Sequence, residues 1–343
     1  MSPRILLHGT GAIGAIYVYL LQKAGCNVTA VCRSNYDAVK SDGFLIDSGV
    51  YGKGIHVKPD HVVRTPTEAA DLFSNPFDYV VVSTKALPDA RTAKAIAPAV
   101  TKCHTAIVLV QNGIGIEDEY QQTFPENLII SCVVYLPATQ TSPGRIDMGD
   151  MEQLEVGTFP AAAYDNGGKQ ATDRFIEALK KGGSNVELYA DIQEQRWNKL
   201  LINASWNPIC ALTLSRDVAY LDSSPAAEKF VREVMMEVVA ICKALGYKSI
   251  TAELAERQLG RATARKGGKG IEPSMLVDLL WQRRMEVEVI LGNPARTAQS
   301  LGVAVPRLEA LYALSRALDE AVALRQPGMS LAGDELKAAQ EKA

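Results

Sequence analysis

Through the first 190 or so residues, short runs of β-branched and aliphatic residues alternate with stretches of helical period; beyond them the short runs stop. The runs at 4–8, 27–32, 78–84, 105–111, 127–135 and 153–157 read as strands, spaced as β-α-β units on a parallel sheet require. Tyr79-Val80-Val81-Val82 and Ile107-Val108-Leu109-Val110 are apolar without alternation, which suits strands covered by helices on both faces. Between 44 and 64, Gly49, Gly52 and Gly54 interrupt short alternating runs and predict an excursion of antiparallel hairpins. From 191 onward, apolar positions recur every three or four residues over 192–206, 226–245, 275–291 and 308–325, which predicts a helical half. Ser224-Pro225 and Glu272-Pro273-Ser274 mark helix starts there, and Gly246 marks a helix end. The basic, glycine-rich stretch 257–270 is expected to be a mobile surface loop, and the polar tail is expected to fray.

A chain of 343 residues at roughly 150 per domain agrees with two cores. With 47% hydrophobic and 22% charged residues it is neither disordered nor a fibrous repeat. Lys and Arg number 36 against 39 Asp and Glu, without a long run of either sign, so no nucleic-acid or polybasic membrane partner is expected. A small molecule becomes the default ligand. No apolar run approaches the roughly 18 residues of a membrane span, and no leader-like block precedes the first strand, so a cytoplasmic protein is expected. Cys26, Cys32, Cys103, Cys132, Cys210 and Cys242 are scattered without a paired spacing; reduced thiols and no metal site are the expectation.

The first strand runs into His8-Gly9-Thr10-Gly11-Ala12-Ile13-Gly14 and then a helical pattern. This is the dinucleotide fingerprint in its required context. Gly9 permits the tight turn, Gly11 lets backbone approach a pyrophosphate, Gly14 allows close helix packing, and the N–H groups at the helix start attract phosphate. After the second strand stands Arg33, where an NAD-selective site carries an acid; an arginine suits the 2′-phosphate of NADP. Ser34 and Lys40 are auxiliary candidates. Lys85 and Asn112 follow the ends of later strands, on the side of a parallel sheet where ligands lie.

The segment from Arg196 to Pro208 sets Lys199, Asn203 and Asn207 four residues apart, a polar stripe on an apolar helix. Ser274 sits where a helix cap would, so its hydroxyl serves either the cap or a ligand. Glu286 and Glu288 lie two apart and cannot share a helical face; spacing alone does not choose between them.

Taken together, H-G-T-G-A-I-G, S-T-K-A, Q-N-G-I-G, W-N-K-L-L-I-N-A-S-W-N-P, P-S-M-L-V-D and M-E-V-E-V-I-L-G make the chain resemble the ketopantoate reductase (2-dehydropantoate 2-reductase) family over nearly its whole length. The resemblance implies an NADP-binding Rossmann domain over 1–189, a helical substrate domain over 190–328 like that of 6-phosphogluconate dehydrogenase, and a tail over 329–343. It implies NADPH-dependent reduction of 2-dehydropantoate, a step toward pantothenate and coenzyme A. By motif, Lys199 matches the catalytic lysine and Glu286 the catalytic-site glutamate. Asn112, Asn203, Asn207 and Ser274 match positions holding substrate or nicotinamide. Gly9, Thr10, Gly11, Ala12, Ile13, Gly14, Arg33, Lys85 and Asn112 match the cofactor side. Met285 and Glu288 depart from the Thr and Asp usual in the family, which bears on the choice of substrate. The expected partners are a small 2-oxo acid and a second copy of the chain. Two rival readings stay open: a related reductase of another 2-oxo acid, and a non-catalytic NADP(H) sensor.

Overall fold

The structure is a computed structural model that describes residues 2–324; the expected tail over 329–343 lies outside the described residues. The chain divides into two compact units, one ending at Arg196 and the next beginning at Trp197. The expected boundary at 189/190 falls just before the helix Ile192–Thr213, whereas the division falls inside it. The Arg196 side chain bonds to residues between 111 and 132, within the first unit.

Twelve strands are described in the first unit: β1 Arg4–His8, β2 Asn27–Val31, β3 Phe44–Ser48, β4 Gly52–Val57, β5 His61–Val63 and β6 Tyr79–Val82, then β7 Ala106–Leu109, β8 Ile129–Tyr135, β9 Ala138–Ser142, β10 Arg145–Met148, β11 Gln153–Phe159 and β12 Val186–Leu188. The large sheet has the order β12-β11-β8-β7-β6-β1-β2-β5. Its run β5-β2-β1-β6-β7-β8 is parallel throughout and is the strand order of a dinucleotide-binding sheet, with the reversal between β1 and β6. Every residue of β6 and β7 is buried, as their unbroken apolar character predicts. The helix Ala12–Lys23 lies against this sheet with Ala15, Ile16, Val18, Leu20 and Leu21 in the core.

Several expectations are corrected. The excursion is one antiparallel hairpin, β3–β4, and β5 returns to the large sheet beside β2. A second small sheet, β4-β3-β10-β9, forms because β10 pairs in parallel with β3 across about 100 residues of sequence. β9 and β10 escape sequence reading because they are short and largely polar. β11 runs antiparallel to β8, so the sheet is mixed beyond that edge.

In the second unit the helix Ala227–Leu245 buries Val231, Val234, Met235, Val238 and Ile241 and packs against the helices Ala252–Thr263, Asn293–Ser300 and Pro306–Leu324. Half of the expected loop at 257–270 is the end of the helix Ala252–Thr263, anchored by buried Leu259 and Ala262. The remainder is tied down by buried Asp217, which pairs with Arg265 and accepts from the Ile271 amide at 2.7 Å. The helix Ile192–Thr213 continues through Pro208, beyond its expected end at 206, because Ile209, Cys210 and Ala211 are buried. The expected helix at 275–291 is instead broken. Ser274–Leu280 is one helix, 281–286 is not helical, and a π turn over Glu288–Gly292 leads into Asn293–Ser300. Among the described residues no helix is long and apolar enough to cross a membrane. All six cysteines are free, and burial pushes the Cys26 and Cys32 thiols up to about 11.

Candidate functional site

The glycine loop leaves β1 at His8, and its three glycines answer to different demands. Gly9 has φ +101°, and a Cβ there would lie 2.5 Å from the Thr84 amide nitrogen. At Gly14 a Cβ would lie 2.3 Å from the Gly9 carbonyl oxygen. Both are required by the protein itself. Gly11 differs: its backbone is extended, at φ −76°, and a Cβ there would meet nothing within 4 Å. It heads the helix Ala12–Lys23 with no side-chain cap and no acid in the first turn, so the N–H groups around Ala12 and Ile13 could hold an anion. Thr10 is buried, and its hydroxyl is spent within the fold, donating to the Val31 carbonyl at 2.9 Å. The Thr10 carbonyl accepts from Asn35 Nδ2 at 2.7 Å. Asn35, which sequence reading passed over, therefore braces this loop, and it also donates to Gln140 Oε1 on β9 at 3.2 Å.

His8, where the loop begins, is held at about 4, first by burial and then by the positive charge of Arg33. Arg33 itself is exposed just past β2. Ser83, past the end of β6, donates to the Gly9 carbonyl at 2.6 Å, and Lys85 follows half-buried.

Asn112, also half-buried, sits in a loop clamped by groups that the sequence does not advertise. Gln111 donates to the Thr84 carbonyl at 2.8 Å, joining the two strand-end loops. Arg196 Nη1 donates to the carbonyls on either side of Asn112, those of Gln111 and Gly113, at 3.0 Å each. Its Nε lies 2.8 Å from Glu117 Oε1, with the two side chains 2% and 0% exposed. Glu117 Oε1 further accepts from Ser131 Oγ at 2.6 Å and Gln193 Nε2 at 2.8 Å.

In the second unit Lys199 and Asn203 are half-buried and Asn207 is buried, all on one stripe of the helix Ile192–Thr213. Asn207 Oδ1 accepts from Ser274 Oγ at 3.2 Å and from the Met275 amide at 3.4 Å. Ser274 is thus the first residue of its helix and not its cap, which is Pro273. The asparagine oxygen serves that helix start, leaving its amide N–H groups as the donors it could offer a ligand.

The two glutamates separate. Glu288 accepts from Tyr312 Oη at 2.7 Å, Arg316 Nη1 at 2.6 Å and Arg296 Nη2 at 2.8 Å. Burial pushes its carboxyl up, but these hydrogen bonds and charges hold it below the ordinary glutamate value. Glu288 is committed to the fold. Glu286 is 8% exposed and precedes the π turn, in a non-helical segment fixed by Asp319, which accepts from the Met285 amide and from Arg284 Nε at 2.7 Å each. Asp319 is a second positioning group absent from the sequence reading; a lone acid on a predicted amphipathic helix carries no signal of it.

The family model for ketopantoate reductase PanE/ApbA matches residues 5–161, and that for its C-terminal domain matches 191–319. The chain is similar to an uncharacterized protein of Saccharomyces cerevisiae, 32% identical over 91% of this chain and 92% of the relative. It is also similar to the 2-dehydropantoate 2-reductase of Nostoc sp., 30% identical over 91% of this chain and 93% of the relative. Among solved structures it is similar to 2-dehydropantoate 2-reductase from Methylococcus capsulatus, with 32% identity, a TM-score of 0.80, and coverage of 94% of this chain and 99% of the other. D-mandelate dehydrogenase, solved with NADH and anilino(oxo)acetate, shares the fold at 21% identity and a TM-score of 0.78, over 93% of this chain and 99% of the other.

Proposed function

The chain belongs to the ketopantoate reductase PanE/ApbA family, a family of oxidoreductases, and from that premise we propose that it reduces 2-dehydropantoate to (R)-pantoate with NADPH. One observation carries the nucleotide half of this reading: Gly11 is a glycine that no contact of the fold requires, at the point where a fingerprint loop meets an uncapped helix start. A side chain there would fill the space a pyrophosphate needs. Gly9 and Gly14 would shape the loop, and Gly11 with the amides of Thr10, Ala12 and Ile13 would hold the pyrophosphate. Arg33, exposed and with no acid beside it in sequence at Cys32, Ser34 or Asn35, supports NADP over NAD. Lys85 and Asn112 would serve the rest of the cofactor.

NADPH, when bound, supplies the hydride that adds to the ketone carbon. As the C=O bond opens, negative charge grows on its oxygen; the Lys199 ammonium stabilises that charge and then gives the oxygen a proton. Glu286 accepts from the substrate hydroxyl and orients Lys199. Asn203 and the amide N–H groups of Asn207 donate to the ligand, and the Ser274 hydroxyl turns from Asn207 Oδ1 to donate to the carboxylate.

Loss of NADPH absorbance on adding 2-dehydropantoate is the test, with Lys199→Ala as the control. That variant is expected to lose turnover while binding NADPH as the parent does; retained turnover removes Lys199 from the acid role. A panel of branched 2-oxo acids tests the second reading. It is favoured by Met285, which replaces the family's usual Thr and is 1% exposed beside Glu286. NADPH binding without turnover on any of the panel would revive the sensor reading. We further propose that the protein is a cytoplasmic homodimer, checked by fractionation and light scattering.

A further inference from the structure

β5 runs parallel to β2 on its outer side, with Val63 opposite Val31 and the Cys32 amide donating to the Val63 carbonyl at 2.9 Å. The residues that follow the two strands, Arg33 and Arg64, therefore leave the sheet at one level of its edge. Between them stands Tyr36, whose amide donates to the Arg33 carbonyl at 3.1 Å. The Arg64 guanidinium stacks on the Tyr36 ring with its carbon 3.8 Å from the centroid. Lys40 Nζ lies 5.1 Å from the same centroid and donates to the Tyr36 oxygen at 2.7 Å.

Two cations thus gather round one ring, and Arg33 accepts through its backbone from the residue that carries it. The acids of this neighbourhood are Asp37, which pairs with Arg64 Nη2 at 2.9 Å, and Glu68, which accepts from the Arg64 backbone amide at 2.8 Å. Arg33 and Lys40 form no ion pair among the described residues. The Arg64–Asp37 pair is open to water, its side chains 52% and 88% exposed, so it adds little to stability. A guanidinium held over a ring keeps N–H groups for an oxyanion. The arrangement gathers more positive charge than the fold consumes, at the strand end where the adenosine ribose of a dinucleotide lies.

We propose that Arg64 is a second determinant of nicotinamide cofactor choice: stacked on Tyr36, it grips the adenosine 2′-phosphate together with Arg33, exchanging the Asp37 carboxylate for the phosphate. This rests on the NADPH reading given above. Asp37 is then a built-in competitor, and its removal has the opposite effect to removal of Arg64.

The test is fluorescence titration of the full chain with NADPH and with NADH, using Arg64→Gln, Arg64→Lys, Arg33→Gln and Asp37→Asn, with 2′-AMP and 5′-AMP as competing probes. Arg64→Gln is expected to raise the NADPH Kd about tenfold and the NADH Kd less than about twofold. Arg64→Lys recovers part of the loss, and Asp37→Asn tightens NADPH about twofold, a gain that a merely structural pair would not give. Protection by 2′-AMP but not 5′-AMP should weaken in Arg64→Gln. If Arg64→Gln leaves the NADPH Kd unchanged while Arg33→Gln raises it, the inference fails and the cofactor reading stands. If the unmodified protein binds NADH as tightly as NADPH, and Arg33→Gln changes neither, the cofactor reading fails and takes the inference with it.

Discussion

Replacing Arg196 by Met tests how the Asn112 loop is held. The change keeps most of the side chain's bulk but removes the guanidinium that donates to the Gln111, Gly113 and Cys132 carbonyls and to Ser131 Oγ. It also leaves the Glu117 carboxylate, 0% exposed, without its cation. Breaking a buried pair from one side costs about 3–5 kcal/mol, because a charge stays buried and unanswered. In a unit of this size each kcal/mol lowers the melting temperature by roughly 2–4 °C, so the first unit should melt about 6–20 °C lower in calorimetry. Glu117→Leu alone should cost as much. The double variant Arg196→Met/Glu117→Leu leaves no buried charge and is expected to recover at least half of the loss, since an apolar pair of similar volume replaces the ionic one. A single variant melting within about 2 °C of the parent would refute this reasoning, as would a double variant whose loss equals the sum of the two singles. Freed of its clamp, the Asn112 loop of Arg196→Met should also bind NADPH more weakly at a temperature where the unit is still folded.

Gly11→Ala should melt like the parent and weaken NADPH binding at least tenfold, whereas Gly14→Ala should lower the melting temperature, since its Cβ would sit 2.3 Å from the Gly9 carbonyl oxygen. Equal effects on melting would contradict the different roles assigned to them. His8 titrates in the unfolded chain near 6.5 but in the fold only at about 4. Between those values the unfolded state binds the extra proton, so stability is lost as pH falls across that window, by about 3 kcal/mol at most, and His8→Leu should flatten that part of the curve. Glu286→Gln should cut turnover more than Glu288→Gln does, while Glu288→Gln, which weakens three hydrogen bonds, should lower the melting temperature; the reverse pattern would exchange their roles.

The parts of the fold legible in sequence are those with a local cause. Three glycines before a helical period, and Val-rich runs without alternation, state their surroundings in a few neighbouring residues. Arg196 does not: in an amphipathic helix an arginine reads as solvated, and its burial comes from groups 64 to 85 positions away. The same holds for Glu286 and Glu288, whose spacing is symmetrical until Arg296, Tyr312 and Arg316 take one of them. β10 is illegible for a related reason, since the partner that makes Arg145–Met148 a strand is β3, far back in the chain, and β9 pairs in turn with β10.

That partner imposes an order on synthesis. β3 emerges from the ribosome long before β10, which pairs with it through Ile146 opposite Ile46 and Met148 opposite Ser48, and before Gln140, which accepts from Asn35 beside the glycine loop. Until about residue 148 has been made, the nascent chain carries β3 with one bare edge, and contacts of such separation form late. A fragment ending at the last parallel strand, β8, would contain the whole glycine fingerprint and still lack Gln140, so Asn35 would hold the Thr10 carbonyl without its own second anchor.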